Sequence, residues 1–352
     1  METDDKETEH SPAVIRVPFQ RLCETMCRCL ILRGFTQDRG ARCAAIIAEN
    51  SLVGVPSHGV NRFLRFIEGI ERGWVDPRSS PHRLGSHGAL EQWDGRLGPG
   101  PLNAEFAMQR ALEIASAQGV GCVGLRNTNH WLRAGTYAWQ AAQAGSLGLC
   151  FTNTEPNLPP WGSTEAKLGN NPIAVAVPRA DGRHVMFDGA MSQFSYGALE
   201  TAILEGRQLP VPGGFDRLGA ITTDPNEIIS SRRPLPIGYW KGSGLALVLD
   251  LVSALVSGGQ SSAMIGQQEA EYGVSQVFLA FGTQILTVRT RAVVEETLHD
   301  LCRAQTDDGR HVTYPGERIA ERRQTNMRTG VPVSAQVWGE ITRLASQGEV
   351  AG

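Results

Sequence analysis

An α/β fold is predicted by three features of this 352-residue chain. Between residues 90 and 190 short apolar runs alternate with helical patterns, as they do where helices cover a sheet. Both ends of the chain read as helices, whereas the middle is mixed. Glycine, at 40 of 352 residues, exceeds the usual roughly 7 % and calls for many tight turns and close backbone approaches. A formal charge of −3 and a pI near 6.3 give no electrostatic reason to expect nucleic acid or an anionic membrane surface.

Residues 1–12, METDDKETEHSP, are too polar for a signal peptide and read as a disordered leader. Three helices follow. The first spans Pro18 to Leu32. The second, Thr36 to Val53, has Thr36 as N-cap, Asp38 in its first turn and Ala41, Ala44, Ala45, Ala48 and Leu52 on one face. The third runs from a capping Asn61 to Gly73, with Phe63, Phe66, Ile67 and Ile70 at helical spacing. After a turn-rich stretch over 76–88 the order is strand Leu90–Trp93, helix Pro101–Gln118, strand Cys122–Arg126 and a helix from about Trp131 to Ala144. Leu147–Thr152, Ile173–Val177 and His184–Phe187 read as further strands. Gly206 to Pro236, with five prolines and no period, is expected to be a long loop.

Leu245 to Val256 is apolar but interrupted by Asp250 and shorter than the about 20 residues of a membrane span, so it is expected to be a buried helix. Gly273 to Leu286 is the last strand-like run. From Ala292 the pattern is helical, with Pro315-Gly316-Glu317 opening one helix and Ser334 capping the last. The seven cysteines are odd in number and read as reduced thiols of a cytoplasmic protein. Cys23 and Cys27, one helical turn apart, lack a second ligand pair at metal spacing, so core packing is expected there and no metal.

Gly119-x-Gly121-x-x-Gly124 satisfies the dinucleotide fingerprint G-x-G-x-x-G, which works only between a strand and a following helix. Here a helix precedes and a strand follows, so Gly119 is read as a helix C′ residue and the match as chance.

Chemistry is concentrated in four places. Ser57, His58 and Arg62 lie at a break between two helical patterns; were that break helical, His58 and Arg62 would share a face, an imidazole beside an anion-binding fork. Asn127, Asn129, His130 and Trp131 lie where a strand enters a helix, with Trp131 as an apolar wall. Asp188 ends a strand and is either a helix cap or an orienting partner for an imidazole, while Gly189-Ala190-Met191-Ser192 is read as a helix opening with accessible N–H groups. Trp240-Lys241-Gly242-Ser243-Gly244 opens a helix with a point charge suited to phosphate. Residue chemistry alone stops at a binder or reductase of small anions, with or without a nucleotide cofactor.

The blocks SHGVNRF (57–63), EQWD (91–94), RNTNHW (126–131), PPWG (159–162), FSYG (194–197), GRQLPVPGGFD (206–216), PIGYWKGSG (236–244) and EYGVSQVF (271–278) stand in order along the chain. In these the sequence resembles the malate/L-lactate dehydrogenase family of the second type, NAD(P)H-dependent 2-oxoacid reductases without a Rossmann fold. The resemblance implies a mostly antiparallel cofactor-binding sheet flanked by helices (86–225 with 270–289), a helical domain from both chain ends (13–85 with 290–352), a small helical segment (226–269) and a homodimer. It implies His58 as proton donor with Asp188 as its partner, and Ser57, Arg62 and His130 as substrate contacts. His184, Val185, Met186, Phe187, Asp188, Gly189, Ala190, Trp240, Lys241, Gly316 and Glu317 would hold NADH, with NADPH the other candidate. The implied substrate is a 2-oxo acid, foremost a diketo sugar acid; malate, lactate, sulfolactate and ureidoglycolate are the family's other options, and an inactive nucleotide-binding relative is the alternative of a different class. The chain departs from the pattern at Pro315-Gly316-Glu317-Arg318, where a family form has P-G-H-E, and at Gly189-Ala190, where a hydroxyl is lost.

Overall fold

The computed structural model describes residues 13–282, 287–307 and 309–347. The expected leader at 1–12 and the end of the last strand-like run lie outside them. The chain opens with strand β1 (Val14–Val17) and helices α1 (Phe19–Ile31), α2 (Gln37–Leu52) and α3 (Phe63–Glu71). It continues through β2 (His82–His87), β3 (Leu90–Asp94), α4 (Gly100–Gln118), β4 (Val120–Thr128), α5 (Ala134–Gln143), β5 (Leu147–Thr152), β6 (Ile173–Val177) and β7 (Val185–Gly189). Next come α6 (Tyr196–Leu204), β8 (Gly214–Phe215), β9 (Ile221–Thr222), α7 (Pro225–Ser231), α8 (Trp240–Ser257), α9 (Ser262–Ile265) and β10 (Val274–Phe281). The chain closes with α10 (Val288–Cys302), α11 (Ile319–Thr329), β11 (Val331–Ser334) and α12 (Ala335–Ser346).

A seven-stranded sheet runs in the order β2-β3-β4-β10-β5-β6-β7. Only β3 and β4 pair in parallel; the other neighbours are antiparallel. The central strand β10 comes from more than a hundred residues after its neighbours β4 and β5, and its Val277 and Phe278 are buried. Alanines of α4 and α5, among them Ala107, Ala111, Ala138 and Ala141, let those helices sit close against one face. Leu249 and Ala246 of α8 pack on the other.

The fingerprint glycines serve this packing. Gly119 has φ +87° and its N–H donates to the Ala115 carbonyl, closing α4 as the helix-to-strand order predicts. A Cβ at Gly121 would lie 2.1 Å from the Ala111 carbonyl oxygen, and one at Gly124 would lie 2.5 Å from that of Val256 in α8. Both helices can touch β4 only because it lacks these side chains.

A second core joins the two chain ends: Leu22, Met26, Ile47, Leu52 and Phe63 pack with Val331, Val333, Trp338 and Ile341. Strands β1 and β11 pair antiparallel beside it, Val14 opposite Ser334. At about 1.5–3 kcal/mol per fully buried large aliphatic or aromatic side chain, this core is a main term in holding the ends together.

Four expectations change. Asn61 does not cap α3: two short 3₁₀ turns, Pro56–His58 and Val60–Arg62, intervene, and the helix starts at Phe63. Gly59 separates the turns, and a Cβ there would meet Ser51 Oγ at 2.3 Å; that hydroxyl accepts the Val60 N–H instead. His58 and Arg62 are therefore not on one continuous helix. Gly206–Pro236 is not a loop throughout, since it folds into the β8–β9 hairpin and α7, capped by Asp224. Lastly, α8 is buried on one side only. Asp250 accepts from Asn153 Nδ2 and the Ser262 N–H, both at 2.8 Å, on the sheet side. Leu247, Val248, Leu251 and Leu255 are exposed on the outer side, Leu255 by 77 %.

Candidate active site

The 3₁₀ turn after α2 places His58 on the wall of a cleft of about 820 Å³. Asn50 Nδ2 holds the His58 carbonyl at 2.8 Å and is itself fixed through Oδ1 by the Thr136 hydroxyl at 2.6 Å, so α2 and α5 together set the turn. Ser57 Oγ lies 3.1 Å from His58 Nδ1. A hydroxyl there orients the ring and leaves Nε2 as the nitrogen free to exchange a proton.

Across the cleft, the turn between β4 and α5 carries His130. The rings of His58 and His130 lie nearly parallel, their centroids 6.2 Å apart. The Leu132 N–H donates to His130 Nδ1 at 3.0 Å, a bond made possible by Leu132 adopting φ +70°. His130 Nδ1 is thus an acceptor, and the neutral ring carries its proton on Nε2. Burial lowers the His130 pKa well below 6.5, with Arg62 and His58 adding to the effect. His58 is also lowered, by burial first and then by Arg62; Asp188 opposes and Arg133 reinforces the shift. In the free protein both shifts therefore favour the uncharged form of the ring.

Asp188 lines the same cleft, but no hydrogen bond joins it to His58. Its Oδ2 accepts from Arg133 Nε at 3.2 Å and from the Gly135 N–H at 3.1 Å. The expected imidazole partner is thus replaced by an arginine, because the first turn of α5 brings both donors to the carboxylate; it acts on His58 through space. Gly189 and Ala190 open no helix. Gly189 ends β7, Ser192 bridges to Pro236, and α6 begins only at Tyr196, so the expected helix-end anion perch is absent at 189–192. In its place, Ser192 Oγ is buried on the cleft wall with no hydrogen-bond partner among the described residues. Such a hydroxyl costs about 1–3 kcal/mol unless a ligand supplies the partner.

Arg62 does not line this cleft. It is half-buried among Glu155, Glu200 and Glu271, which counter the lowering of its pKa by burial and by Arg65, and its charge reaches both imidazoles. Among the described residues no ion pair or side-chain hydrogen bond within range engages its guanidinium, unlike that of Arg133. Glu271 accepts the Glu155 N–H at 3.0 Å, and burial together with Glu155 raises its pKa.

Met186, Phe187, Gly316 and Glu317 line the cleft, and the Met186 N–H donates to the Pro315 carbonyl at 2.8 Å, which ties the Pro-Gly turn to β7. Val185 lies in the same strand but is not on the cleft wall. His184 faces elsewhere. It borders a separate cavity of about 1030 Å³ on the far side of Arg133, with its ring edge-on to Trp139 and its Nδ1 accepting the Arg179 N–H. Trp240 and Lys241 are exposed and border neither cavity. Trp131 is 1 % exposed and packs on Tyr137 and Phe278, and from that fixed position it lines the cleft as the expected apolar wall. Asn129 donates to the carbonyls of Trp74, Leu97 and Gly98, and Asn127 to Asp94, so both asparagines build the turn and not the chemistry. Sequence reasoning missed Ser192 as a site residue and held Arg133 only as a reserve candidate for the carboxylate, behind Arg62; the signal for both was their nearness to Asp188 and His130.

The malate/L-lactate dehydrogenase family matches residues 17–342. The 2,3-diketo-L-gulonate reductases of Citrobacter koseri and Klebsiella pneumoniae are 43 % and 42 % identical over 334 residues, 94 % of this chain and 100 % of each relative. Malate dehydrogenase from Pyrococcus horikoshii superposes with a TM-score of 0.84 at 27 % identity, covering 95 % of both chains. Malate dehydrogenase from Entamoeba histolytica shares the fold at a TM-score of 0.89 and 23 % identity, covering 95 % of this chain and 98 % of that one. With a mostly antiparallel sheet in place of a Rossmann domain, two facing histidines in its cleft, and a family match over nearly its whole length, this chain belongs to the malate/L-lactate dehydrogenase family of oxidoreductases.

Proposed function

We propose that this protein reduces the carbonyl next to the carboxylate of a diketo sugar acid, using NADH. The observation that carries the reading is the Arg62 guanidinium, unpaired among the described residues and near enough for its charge to act on the Ser57-oriented His58, in a chain so similar to named 2,3-diketo-L-gulonate reductases. A free fork meets a carboxylate with two parallel hydrogen bonds. Nicotinamide supplies hydride when bound. The cleft fits such a group: its volume suits a cofactor, and the Ser192 hydroxyl awaits a polar partner. Met186, Phe187, Gly189, Ala190 and Gly316 would hold it.

His58 donates the proton to the developing alkoxide. Because its pKa is lowered, an anionic substrate has to raise it again, and a carboxylate bound near the ring does so. His130, fixed neutral, donates through Nε2–H to a substrate oxygen without titrating. Asp188 and Arg133 form one paired unit that moderates the His58 pKa. The protein acts in the cytoplasm as a homodimer, with the exposed apolar side of α8 as the contact; Leu251→Glu with Leu255→Glu should yield monomers by light scattering.

NADH oxidation with 2,3-diketo-L-gulonate, oxaloacetate, pyruvate and sulfopyruvate tests the reading. The diketo acid should give the highest kcat/KM, with NADH favoured over NADPH. A simpler 2-oxo acid turned over better would move the substrate elsewhere in the family, and nucleotide binding without turnover of any would leave a binding protein.

A further inference from the structure

Behind the Pro315–Glu317 wall of the cleft, three side chains converge that the sequence does not place together. Cys302 is the last residue of α10, His311 lies in the following loop, and Glu317 lies in the turn before α11; their ligand atoms all stand within 4.8 Å of one another. His311 Nε2 is 3.5 Å from Glu317 Oε1. Two tetrahedral ligands at about 2.0–2.1 Å from a zinc ion stand ~3.3–3.4 Å apart, so this edge already has the dimension of a metal site. Glu317 Oε2 is buried with no hydrogen-bond partner among the described residues. A carboxylate oxygen left that way is costly, and a cation satisfies it. Cys302 also sits at a helix C-terminus, where unpaired carbonyls favour positive charge.

We propose that Cys302, His311 and Glu317 bind Zn²⁺, with water in the fourth position. The thiolate argues against the hard cations Mg²⁺ and Ca²⁺, and a sulfur, nitrogen and oxygen donor set suits zinc. On binding, the Cys302 thiol releases its proton to solvent. The ion ties the end of α10 to the turn whose Pro315 carbonyl holds Met186 of β7, and so stiffens one wall of the cleft. The proposal does not depend on which acid the enzyme reduces.

Full-length protein stripped of metal is titrated with Zn²⁺ and separately with Co²⁺. One equivalent of Zn²⁺ should raise the melting temperature, and one equivalent of Co²⁺ should give a thiolate-to-cobalt charge-transfer band in the near ultraviolet. Cys302→Ser should abolish that band. His311→Ala, at an exposed position that disturbs no packing, should keep the band while weakening Co²⁺ affinity by at least about tenfold. A band that survives in Cys302→Ser, an affinity unchanged in His311→Ala, or no band in the wild-type protein overturns the site.

Discussion

Two loops of this protein each carry a histidine and an arginine, and they use them in opposite ways. In the loop after α2, His58 is steered by a neighbouring hydroxyl and Arg62 engages no side chain in the described residues. In the turn before α5, His130 is locked as an acceptor by the Leu132 N–H, and Arg133 is committed to Asp188. The first loop leaves a titrating proton and a charge available to a ligand, whereas the second spends its charge and one ring nitrogen on the protein itself and keeps only the neutral His130 Nε2–H to offer. The lesson is that residue type does not assign a role in catalysis; what matters is which polar atoms remain unspent once the fold is complete.

Replacing His58 should break the comparison most severely. Proton donation contributes typically 10²–10⁴-fold, so His58→Ala should lower kcat by about that factor with NADH affinity nearly unchanged; a fully active variant would return His58 to the ranks of structural residues. Arg62→Met removes the free fork. By loss of charged hydrogen bonds of about 1.5–3 kcal/mol, kcat/KM for the acid should drop roughly ten- to hundredfold, and the preference for a 2-oxo acid over its uncharged amide should vanish. Should that preference survive intact, the carboxylate is held by another group, for which Arg133 or His130 would be next. His130→Ala costs one neutral donor, a loss of roughly tenfold in kcat/KM, and should leave the pH profile where it was, because that ring does not titrate in the working range.

The smaller effects sharpen the electrostatics. With the His58 pKa lowered, the fraction of free enzyme holding a proton falls as pH rises through that value, so reductive kcat/KM should decline on a limb below pH 6.5 and oxidative kcat/KM should rise on the same limb. Arg133→Met removes a positive charge and leaves Asp188 uncountered, both of which raise the His58 pKa, so the limb should move to higher pH; a stationary limb, or one moving toward acid, contradicts the assigned coupling. Gly124→Ala touches neither loop. Its Cβ meets the α8 backbone, so denaturant unfolding should show a loss of roughly 1–3 kcal/mol while the NADH dissociation constant stays within a few-fold. A specific collapse of NADH affinity would instead restore the glycines as a pyrophosphate site.

Much of this was legible from local rules. Thr36 accepts the Arg39 N–H as the N-cap of α2, and Gly119 takes the left-handed conformation that closes α4. The strands at 147–152 and 173–177 fall where alternating apolar residues put them. What misled was also local: Asn61 has the right side chain for a cap but lies inside a 3₁₀ turn fitted around Gly59, and the α8 sequence is apolar all round although only one side meets the sheet.

By itself, then, the sequence determined the limits of α2 and α4, the α/β class, the dismissal of the glycine fingerprint and, by ordered blocks, the family and the candidates His58, Arg62, His130 and Asp188. Each of those rests on neighbours a few residues apart or on residue identity, which a one-dimensional string preserves. Tertiary structure alone decided that β10 inserts between β4 and β5, that Asp188 pairs with Arg133 across 55 residues of chain, that Ser192 is left without a partner among the described residues and that Cys302, His311 and Glu317 meet. The physical reason is that periodicity reports which face of an element is apolar, while the partner of a polar atom depends on how distant elements are packed against one another.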